Sequence, residues 1–325
     1  MYIEANAFYG LKRFFTEAGY YETPVHQQLY NDLKAHIQLA GIFAFTGAVG
    51  SGKTTLLNRI QNDLEEKNQV IVSRSLTTEK RSLTIQTLFL ALFYDLSSKE
   101  KSFKIPTQSE KRERELIELI KKHKKPVVLF IDEAHDVHGL TLIGLKRLVE
   151  TVASRGGQLS IVLAGHPKLR NALSTATMEE IGSRTKIFSI DLALDKNKEK
   201  YIAWLITQCL DEKKKYQEII TEEAIKKLAS ALQTPLQIQH YLGLAVNEGH
   251  IAGEKTITED IITSVLLADL NSLEARLARS GYQFGAICDL LRASPKETRE
   301  FLQGKSNSPR KSEFMHKIRE IGIEI

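Results

Sequence analysis

Cysteine, proline and long apolar runs are scarce in this 325-residue chain. Its two cysteines, Cys209 and Cys288, belong to no CxxC pair. They build no disulfide framework and read as reduced, buried thiols. Seven prolines and 19 glycines leave no tract for a long linker or a collagen-like repeat. The longest apolar runs, such as Val127–Ile131, fall far short of the roughly 18–20 residues of a membrane-spanning helix. The opening MYIEANAFYGLKRFF has no long apolar core and no small-residue cleavage site, so no leader is expected. A strong excess of one charge is lacking too: 45 Lys+Arg against 40 Asp+Glu leave +5. That mild bias permits a nucleic-acid contact without requiring one. A cytoplasmic protein with no membrane partner is expected.

What is present is an alternation of short apolar runs and amphipathic stretches. Strands are expected at Ile42–Phe45, Val70–Ser73, Val127–Ile131, Leu159–Ala164 and Ile187–Ile190. Helical spacing runs over His26–Leu39, Lys53–Lys67, Thr84–Leu96, Glu110–Lys122 and Leu140–Ala153. This pattern predicts an α/β fold, a parallel sheet covered by helices on both faces. Residues 196–269 read as a helical bundle. Tyr282–Gly304 reads as helix, turn, helix, with Ser294 and Pro295 suited to a cap and a first helical position. Four regions are expected: an N-terminal segment (1–40) packing on the core, an α/β nucleotide-binding domain (41–192), a helical lid (193–270) and a helical tail (271–325).

Gly47-Ala48-Val49-Gly50-Ser51-Gly52-Lys53-Thr54 fits G-x-x-x-x-G-K-[ST], between an expected strand and an expected helix. In such a loop the backbone N–H groups of Gly47–Thr54 and the next residue, Thr55, turn inward around phosphate oxygens. The helix N-terminus adds partial positive charge. Lys53 would reach the β- and γ-phosphates, and the Thr54 hydroxyl would bind Mg²⁺. Val127–Ile131 runs into Asp132-Glu133. At a strand tip Asp132 would hold hydrated Mg²⁺, and Glu133 would orient or deprotonate the attacking water. Gly165-His166-Pro167 follows the fourth strand, where His166 reads either as a polar sensor beside the γ-phosphate or as a structural histidine. Arg184, in Gly182-Ser183-Arg184, reads either as a finger for a neighbouring subunit's nucleotide or as a surface ion pair, with Arg170 as the substitute.

These motifs, in this order, resemble the AAA+ ATPases over about residues 1–265. More narrowly, Phe8-Tyr9-Gly10-Leu11 with Phe14 and Phe15, TGAVGSGKTTLL (46–57), FIDEAH (130–135) and LAGHPKLR (163–170) resemble the ExeA/TniB/TnsC group. The resemblance implies an AAA+ P-loop core with a helical lid, ATP and Mg²⁺ as cofactors, and ATP hydrolysis. It also implies a homo-oligomeric ring or filament on duplex DNA that marks a target, with a transposase and a target-selecting protein as partners. Lys80-Arg81 would face the channel and touch DNA phosphates, or else start a solvated helix. Lys121–Lys125 reads as a solvated helix end. Many AAA+ lids place an Arg against the γ-phosphate; here the stretch is Gln233-Thr234-Pro235-Leu236-Gln237, with none. That departure also admits a nucleotide-gated scaffold with little hydrolysis. An ExeA-like secretion ATPase, a signalling NTPase and a repair or replication loader are the remaining rivals. The tail's last stretch resembles tails of transposon-encoded ATPases, implying a DNA- or partner-binding role, or else a plain extension.

Overall fold

The computed structural model describes residues 2–75, 83–97, 105–191, 194, 197–266, 273, 276–277, 280–302 and 310–323. They form two compact units, one of residues 25–47 and 53–190, the other of 1–24, 48–52 and 191–325.

The first unit is the α/β layer structure. Its strands are β1 (Gly41–Thr46), β2 (Ile71–Arg74), β3 (Val127–Ile131), β4 (Leu159–Gly165) and β5 (Thr185–Ser189). All pairings are parallel, in the order β2-β3-β4-β1-β5. The three inner strands are almost unbroken apolar runs, and β3 and β4 are buried at every position. That is the composition a sheet needs when helices cover both faces and no side chain faces water. The edge strands β2 and β5 keep partly exposed positions.

The helices of this unit include α2 (Pro24–Ile37), α3 (Lys53–Glu66), α4 (Ile85–Ser97), α5 (Ser109–Lys122), α6 (Gly139–Ser154), α7 (Pro167–Leu173) and α8 (Glu179–Gly182). Buried rows such as Leu88, Leu92 and Phe93 on α4 and Leu116, Ile117 and Ile120 on α5 meet the sheet in one core. Each such side chain contributes about 1.5–3 kcal/mol by leaving water. The basic run after α5 is more than a solvated end: the Lys125 ammonium donates to the Asn68 carbonyl at 2.9 Å.

The second unit is helical. It contains α1 (Tyr2–Tyr9), α9 (Lys198–Cys209), α10 (Glu222–Ala231), α11 (Pro235–Ala252) and α12 (Glu259–Leu266). The N-terminal segment expected over 1–40 is therefore split. Ala5, Tyr9, Leu11 and Phe15 lie in one core with Leu205, Ile206 and Leu242, whereas α2 belongs to the α/β unit. Apolar spacing says that a helix has a buried face but not which core receives it. Cys209 is buried as expected, and burial raises its thiol pKa to about 11. Cys288 is only half-buried, contrary to expectation.

The tail folds around its own apolar cluster. Here α13 (Phe284–Leu291), α14 (Pro295–Leu302) and α15 (Lys311–Glu320) enclose Leu291, Phe301, Phe314 and Ile318. The Glu297 N–H donates to the Ser294 hydroxyl at 3.3 Å, the expected cap before Pro295.

One glycine in α11 is demanded by a close approach. The Tyr9 hydroxyl crosses Gly249 to donate to the Glu254 carbonyl at 2.7 Å, and a Cβ on Gly249 would meet that hydroxyl. Gly243, on the same helix, has nothing within 4 Å of such a Cβ. Gly249→Ala is therefore expected to destabilise by about 1–3 kcal/mol. Gly243→Ala should stabilise by about 0.5–1 kcal/mol through helix propensity. Thermal unfolding of the two variants checks this; equal melting points would remove the Tyr9 contact.

Candidate nucleotide site

The strand order makes the carboxyl ends of β1, β4 and β3 neighbours, the place where open α/β sheets bind ligands. Three loops thus leave adjacent strand tips: one from Thr46, one from Ile131 and one from Gly165. They carry Gly47–Thr54, Asp132-Glu133 and His166.

The phosphate loop leaves β1 and enters α3. Its turn depends on two glycines in the left-handed region, Gly50 (φ 78°) and Gly52 (φ 94°). At its start the Gly47 N–H donates to the Gly165 carbonyl at 3.2 Å, tying the first loop to the end of β4. Lys53, at the first position of α3, is 7% exposed, and its ammonium donates to the Gly47 carbonyl at 2.8 Å. A cation is thus held in the loop's own curl, at the amino end of a 14-residue helix. Thr54 and Thr55 are exposed. The Thr54 hydroxyl donates to Asp132 Oδ2 at 2.8 Å, across the gap between α3 and β3. The two groups expected to share a magnesium ion are therefore already neighbours, so the residues fit that ion and a triphosphate.

The loop's tip, 48–52, groups with the helical unit. Within that unit the Ala48 N–H donates to Asp191 Oδ1 at 2.7 Å, and the Leu236 N–H donates to the Gly50 carbonyl at 3.3 Å. A Cβ on Gly50 would meet the Leu236 side chain, so this glycine is fixed by a neighbour as well as by its φ. Val49 is exposed, and Ser51 is buried. The turn Gln233–Gln237 is occupied by its own capping. The Thr234 hydroxyl accepts from the Gln237 N–H at 3.4 Å. The Gln237 carboxamide oxygen accepts from the N–H groups of Thr234 (3.2 Å) and Gln233 (2.9 Å). Leu236 and Gln237 thus spend this turn on packing and capping.

Beyond β3 the chain turns sharply. Glu133 adopts a left-handed conformation (φ 53°, ψ 33°), and its N–H donates to Asp132 Oδ1 at 2.8 Å. For a non-glycine residue that conformation costs on the order of 1–2 kcal/mol, and such strain gathers at functional sites. The turn separates the two carboxylates: Asp132 faces Thr54, and Glu133 faces a pair of histidines. Glu133 Oε2 lies 3.4 Å from His135 Nδ1 and 3.8 Å from His166 Nε2. The two imidazoles stack, with centroids 3.8 Å apart and planes at 21°. His166 stands at the N-cap position of α7, after the fourth strand, with no side-chain cap bond, and lies beside Glu133. The sequence alone assigns His135 no role. Its signal was there, since residues that follow adjacent parallel strands meet at their tips. Burial lowers the His135 pKa and so favours the neutral ring, against the nearby carboxylates of Asp136 and Glu133.

Arg184 precedes the edge strand β5, as expected. Its side chain is 62% exposed and ion-paired with Glu150, which also lies 3.4 Å from the buried Lys146. Arg170 is exposed on α7. Lys80 and Arg81 lie outside the described residues. Among the described residues no helix is long and apolar enough to cross a membrane.

Residues 36–173 match a family model described as an AAA domain. A comparison with curated proteins finds no match. Solved structures similar to the chain include the ORC2 protein of Aeropyrum pernix in ADPNP-ADP complexes, with a TM-score of 0.55 at 13% identity, covering 95% of this chain and 85% of that one. Cdc6p of Pyrobaculum aerophilum is similar at 0.55 and 13%, covering 98% and 90%. Drosophila ORC bound to DNA is similar at 0.52 and 14%, covering 99% and 83%. Identities this low speak to fold alone. The protein has the AAA+ fold, with an AAA-type P-loop domain and a C-terminal helical region.

Proposed function

We propose that this protein is an ATP-dependent, DNA-binding AAA+ ATPase that regulates transposition. It assembles in the cytoplasm with ATP as a ring or filament on duplex DNA, marks a target, recruits a transposase through a target-selecting partner, and disassembles on hydrolysis. The observation that carries the ATPase part is the 2.8 Å contact between Thr54 and Asp132, beside a buried Lys53 and a separately aimed Glu133. The transposition part rests on the resemblance of FIDEAH and LAGHPKLR to the transposon-linked group. The likeness to a structure of ORC bound to DNA supports duplex DNA as the partner.

In this reading the 47–55 backbone and Lys53 cradle the β- and γ-phosphates. Thr54 and Asp132 hold Mg²⁺, which when bound offsets the charge developing on the phosphates. Glu133 takes a proton from the attacking water, and His166 sits beside it to sense the γ-phosphate. Arg184 leaves Glu150 for a neighbouring subunit's nucleotide, since exposed pairs are worth only about 0–1 kcal/mol. Lys80 and Arg81 contact DNA phosphates, and the tail binds DNA or protein.

The Leu236–Gly50 contact favours a second reading, a nucleotide-gated scaffold that hardly hydrolyses, because the lid turn brings no cation. One experiment separates the two. The protein is mixed with duplex DNA and either ATP or a non-hydrolysable analogue, then imaged while phosphate release is followed. The ATPase reading expects assemblies with the analogue and DNA-stimulated turnover with ATP. It also expects Arg184→Ala to lose turnover, and part of it to return when Arg184→Ala and Lys53→Ala protomers are mixed. Assemblies without turnover would establish the scaffold. No assemblies would remove DNA from the account.

A further inference from the structure

Glu133, His135 and His166 each offer one ligand atom, and these atoms all lie within 4.8 Å of one another. A tetrahedral zinc ion with bonds of about 2.0–2.1 Å to nitrogen and oxygen holds its ligand atoms roughly 3.3–3.4 Å apart. Glu133 Oε2 to His135 Nδ1 already has that spacing, at 3.4 Å, and His166 Nε2 needs to close by only a few tenths from 3.8 Å. The rings are stacked at 21° and an imidazole lone pair lies in the ring plane, so a shared ion requires His166, whose side chain is 15% exposed, to swing out of the stack until its plane meets that of His135.

A second observation points to a ligand. The His135 side chain is 7% exposed, and its Nδ1 is buried with no hydrogen-bond partner while facing Glu133. Its other nitrogen, Nε2, lies 3.6 Å from Asp136 Oδ1. A carboxylate beside the far nitrogen is the kind of outer partner that metal-bound histidines use, here at ion-pair rather than hydrogen-bond spacing. Burial, with the nearby cations Lys168 and Lys53, favours the neutral ring, the form that binds metals, against the nearby anions Asp136 and Glu133. Two imidazoles and one carboxylate suit a borderline transition ion. Magnesium prefers oxygen and belongs with Asp132 and Thr54.

We propose that Glu133, His135 and His166 form a site for a divalent transition metal, with zinc as the fitting class, and that occupancy stops hydrolysis by engaging the carboxylate that serves as base. ATP and Mg²⁺ use Lys53, Thr54 and Asp132, so zinc holds the enzyme in its ATP-bound form without expelling nucleotide. The binding half does not depend on the ATPase reading above; the inhibitory half rests on it.

The test uses the full-length protein, freed of metal with a chelator and titrated with Co²⁺ in the absence of nucleotide. The expected result is one equivalent of Co²⁺ with a visible absorption band, no near-ultraviolet thiolate band, and loss of colour when Zn²⁺ is added. His135→Phe keeps a ring to stack on His166 but no nitrogen, and should weaken binding at least tenfold. Glu133→Gln, at a side chain 40% exposed where folding is safe, should do the same. Circular dichroism checks that both variants fold. No band in the parent, or equal binding in the parent and Glu133→Gln, overturns the site. In a second arm, one equivalent of buffered free Zn²⁺ with excess Mg²⁺ and ATP should cut turnover at least fivefold, and a chelator should restore it. Unchanged turnover overturns the inhibitory half. A parent without any turnover fails the ATPase reading, while the Co²⁺ titration still decides the site.

Discussion

Glu133→Gln is expected to lower ATP turnover by about 10²–10⁴-fold, the range for losing a positioned general base, while ATP affinity stays within a few-fold of the parent. The separation of the two carboxylates is the reason. Asp132 meets Thr54 at 2.8 Å, on the side where the ATPase reading puts magnesium, and the left-handed turn at Glu133 aims the second carboxylate elsewhere. Gln keeps the size and the backbone N–H bond to Asp132 but accepts no proton from water. The variant should therefore accumulate in the ATP-bound state. If the assembly reading holds, it should remain on duplex DNA after the parent has dissociated. Single-turnover phosphate release beside equilibrium nucleotide binding checks the prediction. Turnover near the parent rate would move the base to another group, and the His135–His166 pair beside it would be examined first.

The site was largely legible because its residues are fixed by sequence neighbours. Gly47–Thr54 sits between a strand and a helix, and Asp132-Glu133 ends an unbroken apolar run. Each motif predicts its own element, and the parallel order of β1, β4 and β3 brings the tips together. What was illegible depends on pairs far apart in sequence. The stacking of His135 on His166, the pairing of Arg184 with Glu150 and the seating of Leu236 on Gly50 have no local signature. The same limit explains the N-terminal segment. Tyr9 and Leu11 carry the mark of burial, but only the hydrogen bond from Tyr9 to Glu254 shows which unit takes them. That the stretch Gln233–Gln237 carries no Arg is visible in the sequence. That its Gln237 carboxamide is committed to capping α11 needed the structure.

Lys53→Ala should abolish measurable ATP binding at concentrations that saturate the parent, and leave the unliganded protein folded. Lys53 is 7% exposed and donates to the Gly47 carbonyl at 2.8 Å, so the loop already curls around a desolvated cation. A charge-assisted hydrogen bond contributes about 1.5–3 kcal/mol, and in the ATPase reading the ammonium would meet two phosphates, the β and the γ. Two such contacts together come to about 3–6 kcal/mol, so the expected loss is more than a hundredfold. The apo-protein should suffer less, because removing the ammonium also removes the cost of burying it. Thermal unfolding reads both effects in one measurement. Ligand at about a hundred times its Kd stabilises a protein by about 2.7 kcal/mol. The parent should therefore melt several degrees higher with Mg²⁺ and ATP than without. Lys53→Ala should melt near the unliganded parent under both conditions. An equal upward shift in parent and variant would mean that the triphosphate is held elsewhere, and the loop from Gly47 to Thr54 would keep only its structural role.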